Sequence, residues 1–204
     1  MNKLTISIRR GSTVALPIRV ESSVLSYAQI TTIANTAPVR ITATAHGLPD
    51  GWRAAVMNAK GITQLNAAWN PPKDSELRTI VVVDADMVEI NDYNAAGLKA
   101  HTAGTGQLAY YAPHDLMPYE GARMNVKAKV GGEPLAIYTT TDGTLELDNA
   151  TKAVWLKLSD TETMLLAAKN YVFDIELLRT GGGVEAICTA DSVLTVLPEV
   201  TTTE

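Results

Sequence analysis

The sequence predicts a mainly β protein, an antiparallel β-sandwich with one short α-helix, interrupted by an inserted second domain. Three observations lead to this fold class. Short segments that alternate apolar and polar residues recur along the chain, as strands with one buried face require. Gly, Pro, Asn and Asp separate most of these segments at the spacing typical of sandwiches and barrels. The residue composition also changes on either side of residues 26–112, which indicates two units.

The first two strands are predicted near the N-terminus. Residues 4–8 alternate apolar and polar side chains, the stretch VALPIRV does so again, and Gly11-Ser12 lies between them as a hairpin turn. A second hairpin turn is expected in TTTDGTL, where Asp142-Gly143 is a strong turn signal. The other predicted strands cover residues 39–45, 54–57, 78–83, 87–90, 107–111, 123–130, 135–139, 145–148, 153–158, 171–178 and 185–196.

One segment, LSDTETMLLAAK at residues 158–169, breaks the strand pattern and predicts a short helix lying across the sheet. Ser159 can cap the first free N–H groups, and Glu162 three residues later completes a capping box. The face expected to be shared by the apolar side chains consists of Met164, Leu165 and Ala168.

The order of the segments indicates that the second domain is an insertion. Two strands are not stable alone, so the N-terminal pair needs partners among the strands after Pro113. The intervening stretch is rich in Ala, Asn, Thr and Gly, unlike its flanks. We therefore predict a discontinuous sandwich of residues 1–25 plus 113–204, and an inserted domain of residues 26–112.

The composition argues against several functional classes. The net charge is −5 and the 17 Lys and Arg residues are scattered, so we expect no nucleic-acid partner. The longest aliphatic run, residues 80–83, is too short to cross a membrane, so no membrane partner is expected either. A single cysteine, Cys188 in the apolar stretch AICTA, forms no internal disulfide and is predicted to be buried.

No catalytic, cofactor or metal site is predicted. His46, His101 and His114 do not stand at ligand spacing to one another. Catalysis by His46 would need a nucleophile or an acidic orienter, and the local sequence offers only Asp50, which we assign to the turn. The motifs of P-loop and nucleophile-elbow enzymes are absent from the sequence. We therefore expect a protein that is not an enzyme.

The flanking segments carry a resemblance to a phage domain. The matching stretches are IRRGSTVALPIRV, YEGARMNVKAKV, DGTLELD and WLKLSDTETMLLAAKNYVFDIELLRTGG, followed by a closing apolar strand. Together they resemble the N-terminal β-sandwich domain of upper baseplate proteins from tailed bacteriophages. The helix-to-strand pattern of that family falls on Thr161, Leu165, Tyr171, Phe173 and Asp174.

The middle segment resembles a second family over about 80 residues. This family is the small β-barrel that forms the first catalytic cysteine half-domain of ubiquitin-activating enzymes and also occurs alone in phage tail proteins. The resemblance implies a small β-barrel for residues 26–112 and no ubiquitin chemistry. Trp52-Arg53 departs from the family's polar step. The matching residues are Ala37-Pro38-Val39-Arg40-Ile41-Thr42, His46-Gly47-Leu48, Asp50-Gly51, Val56, Gly61-Ile62, Leu65-Asn66 and Val88-Glu89-Ile90.

The resemblance implies that His46-Gly47-Leu48 forms and stabilises a turn of the barrel. The imidazole of His46 is expected to bond a backbone group, Gly47 to supply a permissive backbone, and Leu48 to plug the barrel. Asn66 is expected to cap or bridge a turn through its amide.

The two resemblances imply a non-enzymatic structural component of a phage or prophage tail, in a baseplate, adaptor or tail-tip assembly. It would dock through the sandwich, with the barrel projecting. Its partners would be other tail or baseplate proteins, and its copies would form a symmetric homo-oligomer in the virion while isolated subunits stay monomeric. We expect it in the virion tail, and in the host cytoplasm during assembly.

Docking is expected at exposed strand edges, which natural proteins blunt to stay soluble. The strands LTISIRR and DSVLTVLPEV are the expected edges, blunted by Arg9 and Arg10 in the first and by Pro198 after the second.

The alternative is a carbohydrate- or host-receptor-binding module of a tail fibre. In that case aromatic rings would stack on a ligand, unless they belong to the core. The rings in question are Trp52, Trp69, Tyr110 and Tyr111.

Overall fold

A computed structural model describes residues 3–199 of the chain. It divides into two compact units, Met1–Glu21 with His114–Glu204, and Ser22–Pro113. These boundaries lie within four residues of the expected ones. We call the first unit the sandwich and the second the barrel.

The fold class is confirmed, since strands dominate and the described residues contain a single α-helix. The helix α1 spans Asp160–Met164, and short 3₁₀ turns span Thr63–Leu65 and Asp74–Glu76. None of the helical segments among residues 3–199 has the length and apolar character to cross a membrane. The strands are β1 (Thr5–Arg9), β2 (Val14–Arg19), β3 (Glu21–Gln29), β4 (Thr32–Ala34), β5 (Val39–Thr42), β6 (Arg53–Met57), β7 (Arg78–Thr79), β8 (Val81–Asp84), β9 (Met87–Ile90), β10 (Gln107–Pro113), β11 (Tyr119–Lys127), β12 (Pro134–Thr139), β13 (Leu145–Asp148), β14 (Ala153–Leu158), β15 (Asn170–Arg179), β16 (Val184–Ala186) and β17 (Ser192–Leu197).

The sandwich contains two sheets around one hydrophobic core. A six-stranded sheet has the order β1-β17-β15-β11-β12, with β16 paired to β15, and a three-stranded sheet has the order β13-β14-β2. Alternation along β15 buries Tyr171, Phe173, Ile175 and Leu177 in this core. Neighbouring strands are antiparallel except β1 and β17, which pair in parallel and thereby depart from the all-antiparallel expectation.

Both predicted hairpins are wrong, because each turn connects the two sheets. β1 and β2 flank Gly11-Ser12, and β12 and β13 flank Asp142-Gly143, yet the strands of each pair lie in different sheets. Both turns do use a glycine at positive φ, 70° at Gly11 and 81° at Gly143. Turn chemistry predicts a chain reversal, but the apolar face of the next strand can be buried equally well from the opposite sheet.

The last strand was expected at an edge of its sheet, but it lies in the interior of the sheet. The predicted segment 185–196 forms two strands, and the second, β17, lies between β1 and β15. Pro198 follows the strand, so its missing N–H removes no bond from the ladder. Only β1 of the two terminal strands is an edge, and the opposite edge of the same sheet is β12.

The helix begins as predicted but buries different side chains. Ser159 Oγ accepts from the Glu162 N–H, and the Glu162 carboxylate accepts from the Ser159 N–H at 2.7 Å, which completes the capping box. Thr163 and Leu166 are buried, whereas Met164, Leu165 and Ala168 are exposed. The helix ends at Met164, so helical spacing does not determine which of the later side chains face the core.

The barrel closes through two bent segments. Its sheets have the orders β3-β10-β6-β7 and β4-β5-β9-β8. β3 continues through Ile30 into β4, and β7 continues through Ile80 into β8, so the edges of one sheet run into the edges of the other. At these corners the Ile30 N–H donates to Gly106 O at 3.1 Å and the Ile80 N–H donates to Trp52 O at 2.9 Å. Following the strands from neighbour to neighbour therefore leads back to the first strand, which is the arrangement of a closed barrel.

Deleting the barrel should leave a folded sandwich, because the chain leaves and re-enters that unit at two residues joined by a backbone hydrogen bond. The His114 N–H donates to Val20 O at 3.0 Å, so a short Gly/Ser linker can replace residues 22–113. We expect the shortened protein to retain a β-rich circular dichroism spectrum and one cooperative thermal transition. A broad, non-cooperative transition would contradict the division into two units.

Candidate functional site

His46 stabilises the turn that follows β5 in the barrel. Its Nδ1 accepts from the Leu48 N–H at 3.1 Å, and its Nε2 lies 3.0 Å from Asp84 O. Because Nδ1 is an acceptor and a carbonyl can only accept, the ring is the neutral tautomer with the proton on Nε2. The ring is buried, and the Tyr110 hydroxyl donates to the His46 carbonyl at 3.3 Å. Both ring nitrogens are therefore occupied by backbone groups.

The neighbours of His46 complete the same turn. Gly47 has φ of 65° and Leu48 is buried in the barrel core. Asp50 does not orient the imidazole, since its Oδ1 accepts from the Val82 N–H at 2.9 Å. Asp86 Oδ1 likewise accepts from the Ala45 N–H at 2.8 Å. These acids cap backbone donors of the turns that close the barrel.

Asn66 and His101 serve loops of the barrel in the same manner. The Asn66 amide accepts from the Ala59 N–H at 2.8 Å and donates to Ala59 O at 2.9 Å, which reproduces a backbone pairing. His101 Nδ1 accepts from the Ile33 N–H at 3.1 Å, and its Nε2 lies 2.9 Å from Thr105 O. The sequence offered no local signal for this role of His101, because its partner Ile33 is 68 residues away.

The four aromatic rings proposed for ligand stacking do not form one platform. Trp52 is 1% exposed in the barrel core, and its Nε1 donates to Tyr111 O at 2.9 Å. Tyr110 packs against the same core. The interpretation of Trp52 as a stacking ring is therefore corrected, since barrel closure encloses it completely.

Trp69 is the exposed ring of this set. It is 56% exposed on the loop between the two 3₁₀ turns, and Lys73 Nζ lies 3.6 Å from its ring centroid. The Glu76 carboxylate accepts from the Ala68 and Lys73 N–H groups at 2.6 and 2.8 Å, which orders the loop beneath the ring. One face of Trp69 is thus occupied by a cation.

The sandwich contains a polar network that was not predicted from the sequence. The Tyr119 hydroxyl donates to Glu185 Oε2 at 2.5 Å and accepts from His114 Nε2 at 2.9 Å. Arg179 Nη2 donates to the same Glu185 oxygen at 2.6 Å, and the guanidinium lies 5.0 Å from the Tyr119 ring centroid. These contacts join the end of β15 and β16 to the start of β11 and the segment that precedes it. Only the folded chain brings them together, because Tyr119 and Glu185 are 66 residues apart.

The network shifts the pKa of two of its members. Burial raises the pKa of the Tyr119 phenol, and the bond to Glu185 raises it further. The hydrogen bond from Tyr119, supported by Arg179, holds the pKa of the Glu185 carboxyl below its ordinary value against the effect of burial. The carboxylate is thus stabilised in its charged form.

The remaining reactive groups do not assemble into a centre. Cys188 is buried in the sandwich core, and burial raises the pKa of its thiol. Across residues 3–199 there is no cluster of three His, Cys, Asp or Glu side chains that could hold a metal ion. His46, His101 and His114 bond to different partners in separate places.

The open edges of the six-stranded sheet are the most distinctive surface of the sandwich. β12 ends this sheet, and Leu135 and Ile137 on it are 57% and 51% exposed. The eight residues 134–141, PLAIYTTT, contain no charge. This edge is interrupted at its start by Pro134 and a bulge, but the rest of it lacks the charged side chains that protect sheet edges from other strands. We call this strand the β12 edge.

Comparison with known protein sequences identifies no relative. No model of a known protein family matches the chain, and no curated protein matches it significantly.

Replacing His46 with Ala should destabilise the barrel by about 2 kcal/mol, because it leaves a buried Leu48 N–H unpaired. Chemical denaturation measures this loss, and Arg40→Ala, which removes an exposed ion pair, is the control with little expected effect. Nitrogen NMR of the wild-type protein should show Nε2 protonated and Nδ1 bare. A protonated Nδ1 would contradict the assigned tautomer.

Replacing Tyr119 with Phe should cost about 1 kcal/mol at neutral pH through the lost bond to Glu185. Because the folded-state pKa of Glu185 is lowered, its contribution is present above the ordinary pKa of 4.5 and is lost as the pH falls through the folded value. The difference in unfolding free energy between wild type and variant should therefore shrink as the pH falls from the ordinary pKa of 4.5 through the lower folded-state value.

The matched control for this variant is Tyr138→Phe. Tyr138 is also buried, its pKa is raised to about 12 mainly by burial, and its hydroxyl forms no hydrogen bond within residues 3–199. Its effect should not change over the acidic range. Equal pH dependence in both variants would show that the Glu185 bond is not responsible.

Proposed function

We propose that the protein is a non-enzymatic structural component of a phage or prophage tail, in a baseplate, adaptor or tail-tip assembly. It docks through the sandwich and carries the barrel as a second unit. Its partners are other tail or baseplate proteins and copies of itself in a symmetric homo-oligomer. Its place is the virion tail, reached from the host cytoplasm during assembly.

The observation that carries this proposal is the β12 edge. Leu135 and Ile137 present apolar side chains beside an unpaired strand edge, and no charge in residues 134–141 opposes another strand. Monomeric proteins usually blunt such edges, whereas assembling proteins use them as docking surfaces. An assembly role accounts for a surface that would otherwise be a liability.

The state of the reactive side chains supports a role without catalysis. Both ring nitrogens of His46 are bonded to backbone groups, and Glu185 is bonded to Tyr119 and Arg179. A general base must be free to reach the proton of a substrate. Each of these groups already stabilises a turn or a loop.

The alternative function, a carbohydrate- or receptor-binding module, has one observation in its favour. Trp69 is exposed and ordered, and an exposed indole can stack on a sugar ring. Lys73 covers one face of the ring, however, and Trp52 belongs to the core. A single half-covered ring offers little area for such a ligand.

Mass spectrometry of purified particles tests the proposal. Particles of the phage or induced prophage whose genome encodes the chain should contain it in a fixed ratio to the other tail proteins. Its absence from intact particles would contradict a structural role. Glycan-array binding that Trp69→Ala abolishes would establish the alternative, a binding module of a tail fibre.

A further inference from the structure

The two open edges of the six-stranded sheet differ in which backbone groups they offer. On β1, Leu4 O accepts from the Val193 N–H at 2.8 Å and the Arg10 N–H donates to Leu197 O at 3.0 Å. The even-numbered residues of β1 therefore face β17. Thr5, Ser7 and Arg9 alternate with them and direct their backbone N–H and C=O groups away from the sheet.

On the β12 edge, too, even-numbered residues direct their backbone groups to the neighbouring strand and Ile137 directs its groups away from the sheet. The Thr140 N–H donates to Ala122 O on β11 at 3.1 Å, so Ile137 directs its backbone groups outward. Thr139 is already used, because its N–H donates to Thr144 Oγ1 at 2.9 Å. A bulge near Lys127 interrupts the pairing with β11 at the start of β12. Ile137 is the centre of the free part of this edge.

The side chains at both edges lie on the same face of the sheet. Ile6 and Ile8 point into the core, so Thr5, Ser7 and Arg9 lie on the outer face. On β12 Tyr138 points into the core, and the exposed Leu135 and Ile137 lie on the outer face. Ile137 thus shares its face and its hydrogen-bonding direction with Thr5, Ser7 and Arg9, whereas the bulge interrupts the alternation of β12 before Ala136.

The strand directions allow one edge to join the other. β1 and β17 run in parallel, and β15, β11 and β12 each reverse direction relative to the preceding neighbour. β12 therefore runs opposite to β1. Suppose that a second copy is related to the first by rotation about an axis parallel to the strands. The β1 strand of the second copy then lies antiparallel beside β12 of the first copy. The outer faces of the two sheets also point to the same side.

Charge selects the register. Arg9 ends β1 and Glu133 immediately precedes β12; both are exposed, and neither has an ion-pair partner within residues 3–199. An antiparallel register with Thr5 opposite Ile137 places Ser7 near Leu135 and directs Arg9 towards Glu133, which lies beyond the bulge at the start of β12. The pair Thr5–Ile137 satisfies both the face and the backbone direction, and Arg9 and Glu133 attract each other at the end of the paired segment.

We propose that copies of this chain associate head to tail, with β1 of one copy adding in this register to β12 of the next. The proposal rests on the proposed function, since it names the surface through which the homo-oligomer forms. The interface is heterologous, so it closes into a ring when the rotation between copies divides a full turn. Each contact is short, and the particle stabilises it by holding many copies at high effective concentration.

Cysteine cross-linking of the full-length protein tests this register. Opposed residues of an antiparallel pair have Cα atoms about 4.5–5.5 Å apart, within the disulfide range of about 4.4–6.8 Å. Thr5→Cys protein is mixed with Ile137→Cys protein at about 1 mM, where even a weak contact is populated. The native Cys188 is buried and stays out of the reaction.

The mixture should form a disulfide-linked dimer about tenfold faster than either variant alone. A mixture of Ser7→Cys and Leu135→Cys proteins should also cross-link faster than either variant alone. This second pair is used if the first pair folds poorly. Ser7→Cys with Ile137→Cys, displaced by two residues, is the matched slow control. Adding Arg9→Glu to the Thr5→Cys chain should slow cross-linking, and Glu133→Arg on the partner should restore it.

Two results would overturn the proposal. Rapid cross-linking of Ile137→Cys protein with itself would show two-fold pairing of β12 edges. Equal, slow cross-linking in all combinations would show that the edges do not meet. If the chain occurs in tail particles but does not cross-link, the contact between β1 and β12 is refuted and the proposed function stands. If it cross-links but is absent from particles, only the tail assignment fails.

Discussion

Every strand edge carries backbone N–H and C=O groups that need partners, and this requirement separates the two units. The barrel meets it internally, because Ile30 and Ile80 bend two strands from one sheet into the other and leave no edge between them. The sandwich meets it only in part, since its larger sheet ends at β1 and β12. A closed unit needs no partner to satisfy its strands, whereas an open sheet can extend by one strand from another chain.

In a closed barrel the strand edges are paired, so the backbone groups that still lack partners are those of the turns. Polar side chains then replace the missing backbone partners, as His46 does for Leu48 and Asn66 does for Ala59. Such bonds are worth little individually when exposed, but a buried N–H without a partner is expensive. The turn residues of the barrel are therefore explained by the cost of leaving donors unpaired, and no catalytic role is needed to account for them.

Features set by neighbouring residues were predictable from the sequence, and features set by distant ones were not. The capping box of Ser159 and the strand alternation of β15 depend on residues a few positions apart, so both could be predicted. The sheet that β13 joins depends on packing across the whole core, and the hairpin prediction at Asp142-Gly143 failed for that reason. β3 was missed because its sequence ESSVLSYAQ buries only Ala28 and shows no alternation. The Tyr119–Glu185 bond likewise requires the folded sandwich.

The open edges of the sandwich show how a sheet can remain soluble and still accept a strand. If both edges were apolar, any two edges could pair and free subunits would aggregate. Here β1 carries Arg9, and pairing two β1 strands would bring basic edges together, while β12 is uncharged and follows Glu133. The electrostatic term favours unlike edges over like ones, and the exposed Leu135 and Ile137 add apolar area whichever strand arrives. Charge thus decides which edge binds, whereas apolar burial and backbone hydrogen bonds supply the affinity once it has bound.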